Sequence, residues 1–365
     1  MMCDNVNIAY EELLNRVSSC MLTMKNNGIE ERFPISLIDI NCWEWPQGVG
    51  IYGLYKYYET SGRQDILDFL IHWYDERMEE GILEKNVNTT APMLTLTYIY
   101  EITRKEEYLD LIREWTAWIM DGSLIRTGDG CFQHMITGDP NQSEILIDTL
   151  FMTVLFLARA GVILGRKDCV DEANYQFLQH IKYLLNKKEG LFYHGFNFDR
   201  NNNYGEIMWG RGNSWYTVAI MDYLEMVEID EGLKRHFLTV YYDQVNALKK
   251  YADRDCGLWH TIINDNSSYI EISASAGFLC GILHGIRTGH LDINEYGDMV
   301  DKALAHLPEY IKEDGTVMNV SYGTPIGENA DFYKEIICCP MTYGQAMTIM
   351  ALQEAMVYTG KGKAV

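Results

Sequence analysis

Gly190-Leu191-Phe192, an apolar pair opened by a glycine, precedes Asn213-Ser214 at the head of an apolar-periodic run near 214–228. The same pairing of a glycine-led apolar segment with a polar helix start recurs along the chain. Gly81-Ile82-Leu83 precedes Asn88-Thr89-Thr90, and Gly130-Cys131-Phe132 precedes Asp148-Thr149. Gly257-Leu258-Trp259 precedes Ser273-Ala274-Ser275, and Gly315-Thr316-Val317 precedes Tyr343-Gly344-Gln345. A further start, Gln47-Gly48, stands without the leading segment. From Asn88 onward the starts lie about 60 to 70 residues apart, and a fixed period of this kind changes a fold assignment more than any single motif.

Apolar residues at three- and four-residue spacing predict about twelve helices. They fall near 9–24, 49–60, 64–79, 91–103, 106–120 and 146–161, then near 168–185, 214–228, 232–251, 274–288, 294–309 and 342–358. Each period therefore holds two helices and one decorated loop. With no Pro/Gly/Ser linker to divide it, the chain is expected to form one domain over 1–365: an all-α (α/α)6 barrel of six helical hairpins. An open solenoid is also made of repeated hairpins, but the aromatic and polar loops gather at one end, which favours closure. Inner helices would all begin at that mouth, where unpaired N–H groups and helix dipoles favour an anionic ligand.

The formal net charge of −22 repels polyanions and argues against nucleic acid and anionic membrane surfaces as partners. It leaves room for one small acidic ligand. Nine cysteines show neither metal-type nor disulfide-framework spacing, and the adjacent Cys338-Cys339 suits a buried apolar stretch. Met1-Met2-Cys3-Asp4-Asn5 lacks the basic and apolar regions of a secretory signal. No uncharged apolar run nears the roughly 18 residues of a membrane span. The expectation is a reduced, soluble, cytoplasmic protein, monomeric or homodimeric.

The loop ends supply the candidate site. Trp45, Gln47, Asn88, His134, His194, Trp209, Arg211, Trp215, Tyr343 and Gln345 combine flat aromatic faces with hydrogen-bonding groups, as a sugar ring requires. Asp148 is the sharpest candidate, an acid set between Glu144-Ile145-Leu146-Ile147 and Thr149-Leu150-Phe151-Met152. Partial burial would raise its pKa toward neutrality and suit it to proton transfer; a helix N-cap is the plainer reading. His134 and His194 occupy matching places in successive units and could orient substrate or tune Asp148. Arg211, in Trp209-Gly210-Arg211-Gly212, reads either as an accessible fork for a carboxylate or as a structural ion pair. The tryptophans read equally as packing. No i,i+4 His pair or His/Cys/acid cluster suggests a metal, the glycines near 205–212 lack a nucleotide-loop context, and no cofactor is expected.

These blocks are familiar in combination. Trp45-Pro46-Gln47-Gly48, Phe132-Gln133-His134, Asp148-Thr149-Leu150-Phe151-Met152, Tyr193-His194-Gly195 and Trp209-Gly210-Arg211-Gly212-Asn213-Ser214-Trp215 resemble the unsaturated rhamnogalacturonyl hydrolases. These form glycoside hydrolase family 105, related to the unsaturated glucuronyl hydrolases of family 88. Pro340-Met341-Thr342-Tyr343-Gly344-Gln345-Ala346 extends the likeness, which runs from about residue 40 to 358. It implies a metal-free hydration of the vinyl ether that a lyase leaves at C4=C5 of a terminal uronate. Asp148 would protonate C4 and assist water attack at C5; the hemiketal would then collapse and release the neighbouring sugar. The partner would be a small unsaturated oligosaccharide. The chain departs from the family pattern at Asn88, where relatives carry an acid, and Met135 after His134 leaves out any basic contact that relatives place there. Other classes remain open at this point: glucuronyl substrates, a sugar epimerase on the same barrel, and a non-catalytic oligosaccharide binder.

Overall fold

The computed structural model describes residues 2–26, 28–82 and 84–361; Met1 and Leu83 lie outside them. Its long helices alternate between two rings. The outer helices are α1 (Met2–Leu22), α3 (Gln64–Glu80), α5 (Glu106–Met120), α7 (Lys167–Leu184), α9 (Glu231–Tyr251) and α11 (Ile293–His306). The inner ones are α2 (Trp45–Ser61), α4 (Ala91–Thr103), α6 (Leu155–Leu164), α8 (Gly210–Met226), α10 (Ile272–Arg287) and α13 (Thr342–Lys361). A short α12 (Ala330–Lys334) lies in the last long connection. Each inner helix packs on the next, and α13 returns to α2, so the ring closes.

Composition sorts the helices between the rings. Outer α5 buries one stripe, including Tyr108, Leu109, Ile112, Trp115 and Ile119, the three-to-four spacing of an amphipathic helix. Inner α10 is buried at every position from Ile272 to Gly285, which only a helix with neighbours on all sides tolerates. Small residues let these inner helices approach closely. A Cβ at Gly281 would stand 2.5 Å from the Thr217 carbonyl oxygen, and backbone cannot swing aside. Gly281→Ala is therefore expected to destabilise the protein by about 1–3 kcal/mol of overpacking, only partly offset by helix propensity. A lower melting temperature in calorimetry checks this.

The repeated glycines have one common cause. Gly81, Gly130, Gly190, Gly257 and Gly315 all have positive φ, between 73° and 87°, a region that L side chains rarely adopt. Three of the polar residues at the helix starts then clamp the segment behind them. The Phe192 N–H donates to Asn213 Oδ1 at 2.7 Å, the Trp259 N–H to Ser275 Oγ at 2.9 Å, and the Val317 N–H to Gln345 Oε1 at 2.7 Å.

Short strands lace the mouth. β1 (Arg126–Thr127) pairs with β2 (Cys131–Phe132), and β4 (Leu185–Asn186) pairs with β5 (Leu191–Phe192). β3 (Glu144–Leu146) pairs antiparallel with β6 (Gly195–Asn197), Leu146 opposite Gly195. The helix expected from 146 begins instead with a π-helical turn, Leu150–Val154, before α6. Such turns are rare and gather at functional sites. Cys339 is buried as expected of that stretch, whereas Cys338 is exposed. Among the described residues no helix is long and apolar enough to cross a membrane.

Candidate active site

The β3–β6 pairing brings two distant residues to one place. Ile147 N–H donates to the His194 carbonyl at 3.1 Å, and His134 N–H donates to the Glu144 carbonyl at 2.9 Å. Asp148, His134 and His194 therefore meet at the head of the π turn. Asp148 Oδ1 accepts the Trp215 indole N–H at 3.1 Å, and Oδ2 lies 3.7 Å from His194 Nε2. Both of those last atoms are buried without a hydrogen-bond partner. The first-turn amides bond to backbone carbonyls, Phe151 N–H to the Asp148 carbonyl among them, so the Asp148 carboxyl is not acting as the helix cap.

A cavity of about 470 Å³ opens over this carboxyl. Burial pushes the Asp148 pKa up to about 6, against the opposing pull of Arg211, its own backbone N–H and Trp215. Its side chain is still 15% exposed, so a ligand can reach it. His134 is held by Thr149, whose Oγ1 lies 2.9 Å from Nδ1; burial first, then His180, lowers its pKa to about 3. His194 is pushed well below the usual range by burial, then by His134 and Arg211. Both rings are thus neutral near pH 7, and Asp148 is the group of the three that titrates close to it.

A hydroxyl stands on the far side of the His194 ring. Gly327 N–H donates to the Tyr333 hydroxyl at 3.0 Å, and that hydroxyl lies 2.7 Å from His194 Nδ1. A phenol hydrogen pointing to Nδ1 would leave the imidazole proton on Nε2, facing Asp148. Tyr333 itself is buried against Trp209. Tyr333→Phe keeps that packing and removes the hydroxyl at His194 Nδ1. Turnover is expected to fall roughly tenfold, with KM nearly unchanged and the pH profile displaced. A change in stability alone, with the pH profile intact, would reduce Tyr333 to packing.

The eleven sequence candidates separate into three groups. Trp45, Asn88, His134, Asp148, Trp209 and Arg211 line the cavity. His194 and Trp215 stand behind Asp148 and touch it. Gln47, Tyr343 and Gln345 are fully buried and serve the scaffold. Gln47 Nε2 donates to the carbonyls of Leu37 and Asp39 at 3.0 and 2.8 Å, and Gln345 Nε2 donates to those of Val17 and Gly315 at 3.1 and 2.9 Å. Tyr343 stacks beneath Trp45 at 4.6 Å. The Gln345 amide and the Tyr343 ring are taken up by the scaffold, and the Gln47 Oε1 left over is buried away from a substrate.

Arg211 requires a correction. Its guanidinium is not the accessible fork that its glycine neighbours suggest; its side chain is 0% exposed. Nη1 donates to the Ser321 carbonyl at 2.7 Å and also to the Ser321 hydroxyl. Nη2 donates to the Tyr322 carbonyl at 3.1 Å and to Thr324 Oγ1 at 3.0 Å. Equally buried Glu271 lies 3.8 Å away, and Trp209 and Tyr343 hold the guanidinium in ring contacts at 4.5 and 4.7 Å. The structural ion pair, the plainer of the two readings, is what the fold builds. Arg211 still sends positive potential into the cavity floor, but its N–H groups hold the 321–324 loop.

Other cavity residues carried no sequence signal. Glu144 Oε1 takes the Tyr204 hydroxyl and, at 3.2 Å, the Asn197 amide, so one of its two oxygens is occupied. Tyr204 sits at φ 58° in an irregular loop without repeat spacing. Tyr333 falls in the long connection around α12, where no periodicity announces it.

The chain has relatives in sequence and in fold. Unsaturated rhamnogalacturonyl hydrolase YesR of Bacillus subtilis is 32% identical over 299 residues, 81% of this chain and 84% of that protein. The crystal structure of a possible member of the GH105 family from Salmonella enterica serovar Paratyphi A matches with a TM-score of 0.91 and 37% identity, covering 96% of this chain and 94% of that one. A Klebsiella pneumoniae counterpart gives 0.90 and 38%, covering 96% and 93%. The helical barrel is also that of unsaturated glucuronyl hydrolase from Bacillus sp. GL1, with a TM-score of 0.70 at 18% identity. The model of Glycosyl Hydrolase Family 88 matches residues 17–359, a span that holds Asp148 and the whole of its cavity, and the chain belongs to that family.

Proposed function

We propose that this glycoside hydrolase removes a terminal 4,5-unsaturated galacturonyl residue from short rhamnogalacturonan fragments. One observation carries the reading: Asp148 is a carboxyl 15% exposed to the cavity, with a pKa near 6, one oxygen held by Trp215 and the other buried beside His194. Such a group can both give and take a proton near neutrality. Asp148 would deliver its proton to C4 of the vinyl ether. Water adding at C5 would return a proton to the carboxylate, so the acid is regenerated. The C5 hemiketal then opens, and the hemiacetal left at C1 expels the neighbouring sugar. This sequence needs one acid at its centre, unlike hydrolysis by a pair of carboxylates.

The anionic end of the substrate finds support in the floor of the cavity. Trp45, Asn88, Asp148 and Arg211 stand at or just before the starts of inner helices, whose N-termini favour negative charge, and Arg211 lies beneath. With Asn at 88 in place of an acid and no basic contact from Met135, the chain relies on these fields. The same reading puts the enzyme in the cytoplasm, acting as monomer or homodimer on lyase products after their uptake.

The test follows the ultraviolet enol-ether band of an unsaturated galacturonyl-rhamnose disaccharide. Its disappearance with this protein supports the reading. Disappearance only with unsaturated glucuronyl disaccharides would keep the mechanism and move the substrate. Persistence with every unsaturated uronide would overturn both.

A further inference from the structure

An apolar groove of about 470 Å³ runs beside the mouth of the barrel. One bank is the stretch before α2, where Phe33 and Ile35 line the groove and Leu37 follows; the three are 39, 41 and 37% exposed. The other bank is Phe332 of α12 with Ile336 and Ile337 beyond it. Large apolar side chains left open to solvent in one patch mark an interaction surface. Nothing in the mechanism above uses either bank.

Both banks are tied to one floor. The Tyr322 hydroxyl donates to the Phe33 carbonyl at 2.7 Å, and the Tyr322 N–H donates to the Ile337 carbonyl at 2.8 Å. The Phe33 and Tyr322 rings meet edge to face at 6.5 Å, and the Phe33 N–H donates to the Ile29 carbonyl at 2.9 Å. The apolar faces are therefore held in place in the isolated chain. A partner that covers them has little further ordering to impose.

Charge identifies the occupant. At a net −22 two copies repel one another over most of their surfaces, so they can meet only where a cation of one finds an acid of the other. The groove offers that place. Arg32 lines it from the first bank and Glu335 from the second, both exposed, and neither side chain is in an ion pair among the described residues. A two-fold axis through the groove sets Arg32 against the partner's Glu335, and the reverse pair forms by symmetry. We propose that the groove is a self-association surface, on which the Phe33–Ile35 bank of each copy seats in the groove of the other. Ile35, Ile136, Gly323 and Pro325 also border the Asp148 cavity, so each copy forms part of the rim of the other's mouth.

Sedimentation equilibrium of the full chain across micromolar concentrations reads the association. The wild type should dimerise with a Kd on the order of 10 µM, as befits a small interface. Arg32→Glu leaves only acids at the two positions, and Glu335→Arg leaves only cations. Each variant should self-associate at least about tenfold more weakly, with its melting temperature unchanged because both side chains are exposed. An equimolar mixture of the two variants opposes an acidic face to a basic one and should pair about as tightly as the wild type. The double variant, with the charges exchanged, should regain its own dimer. A wild type that stays monomeric up to about 200 µM would overturn the proposal. So would a dimer indifferent to both charge reversals, which puts the contact on another face, or a mixture of the single variants that fails to pair.

Discussion

Replacing Asp148 with Asn is expected to cut turnover of the unsaturated disaccharide by roughly a thousandfold or more, and to make the folded protein more stable at pH 8. The first effect follows from losing the only proton that the carboxyl can deliver to C4. Asn still accepts the Trp215 indole N–H, which the structure places at 3.1 Å, so the cavity keeps its shape and KM should move little. The second effect follows from linkage. Burial raises the Asp148 pKa from 3.8 to about 6, so the folded state prefers the protonated form. The stability associated with that proton is whole below about pH 4 and is lost as pH rises through 6. Ionised Asp148 thus costs about 3 kcal/mol at pH 8 and roughly half that at pH 5. Asn carries no such charge, so its advantage in thermal unfolding should widen from pH 5 to pH 8 and then level off. In the wild type, kcat/KM should decline as pH rises above 6, because the proton donor is spent. An Asp148→Asn protein that is inactive but gains nothing at pH 8 would mean that the carboxyl is better solvated than its burial implies.

Asp148 was legible because its signal is local: one acid in an apolar run at a helix start. The ring was legible because its cause repeats, five times over, in glycines that all adopt positive φ. The polar residues at the helix starts were harder to read. Asn213, Ser275 and Gln345 mark the period correctly, yet their side chains close on the preceding extended segments. Sequence alone does not separate a clamp from a ligand, since both call for an amide or hydroxyl at the same place. Gly210 and Gly212 show a related ambiguity. A Cβ at Gly210 would lie 2.8 Å from the His260 carbonyl, and one at Gly212 would lie 2.8 Å from the Trp209 ring. These glycines make room for neighbouring chain, not for a ligand at Arg211. Tyr333 and the 321–324 loop come from the one connection that follows no period, and the contact of Tyr333 with His194 spans 139 residues.

Arg211→Met is expected to destabilise the protein by about 3–5 kcal/mol, because it leaves Glu271 as a buried carboxylate without its cation. Glu271 keeps donors in Ser273 Oγ at 2.7 Å, Ala274 N–H at 2.5 Å and Ser321 N–H at 2.8 Å. Those bonds bind α10 to the 321–324 loop but do not replace a charge 3.8 Å away. The 321–324 loop itself would loosen, since Arg211 holds the carbonyls of Ser321 and Tyr322. Neutralising the partner as well, in Arg211→Met with Glu271→Gln, should recover much of the loss, a non-additivity that marks a coupled pair. Arg211→Lys should fall between, because an ammonium cannot span both carbonyls as a planar fork does. A guanidinium serving mainly as a clamp on substrate would behave differently: Arg211→Met would leave unfolding in urea unchanged and raise KM alone. Enough folded Arg211→Lys for kinetics would also test the electrostatic side. Arg211 is the largest influence opposing the rise in the Asp148 pKa, so weakening its hold should move the fall in kcat/KM to higher pH.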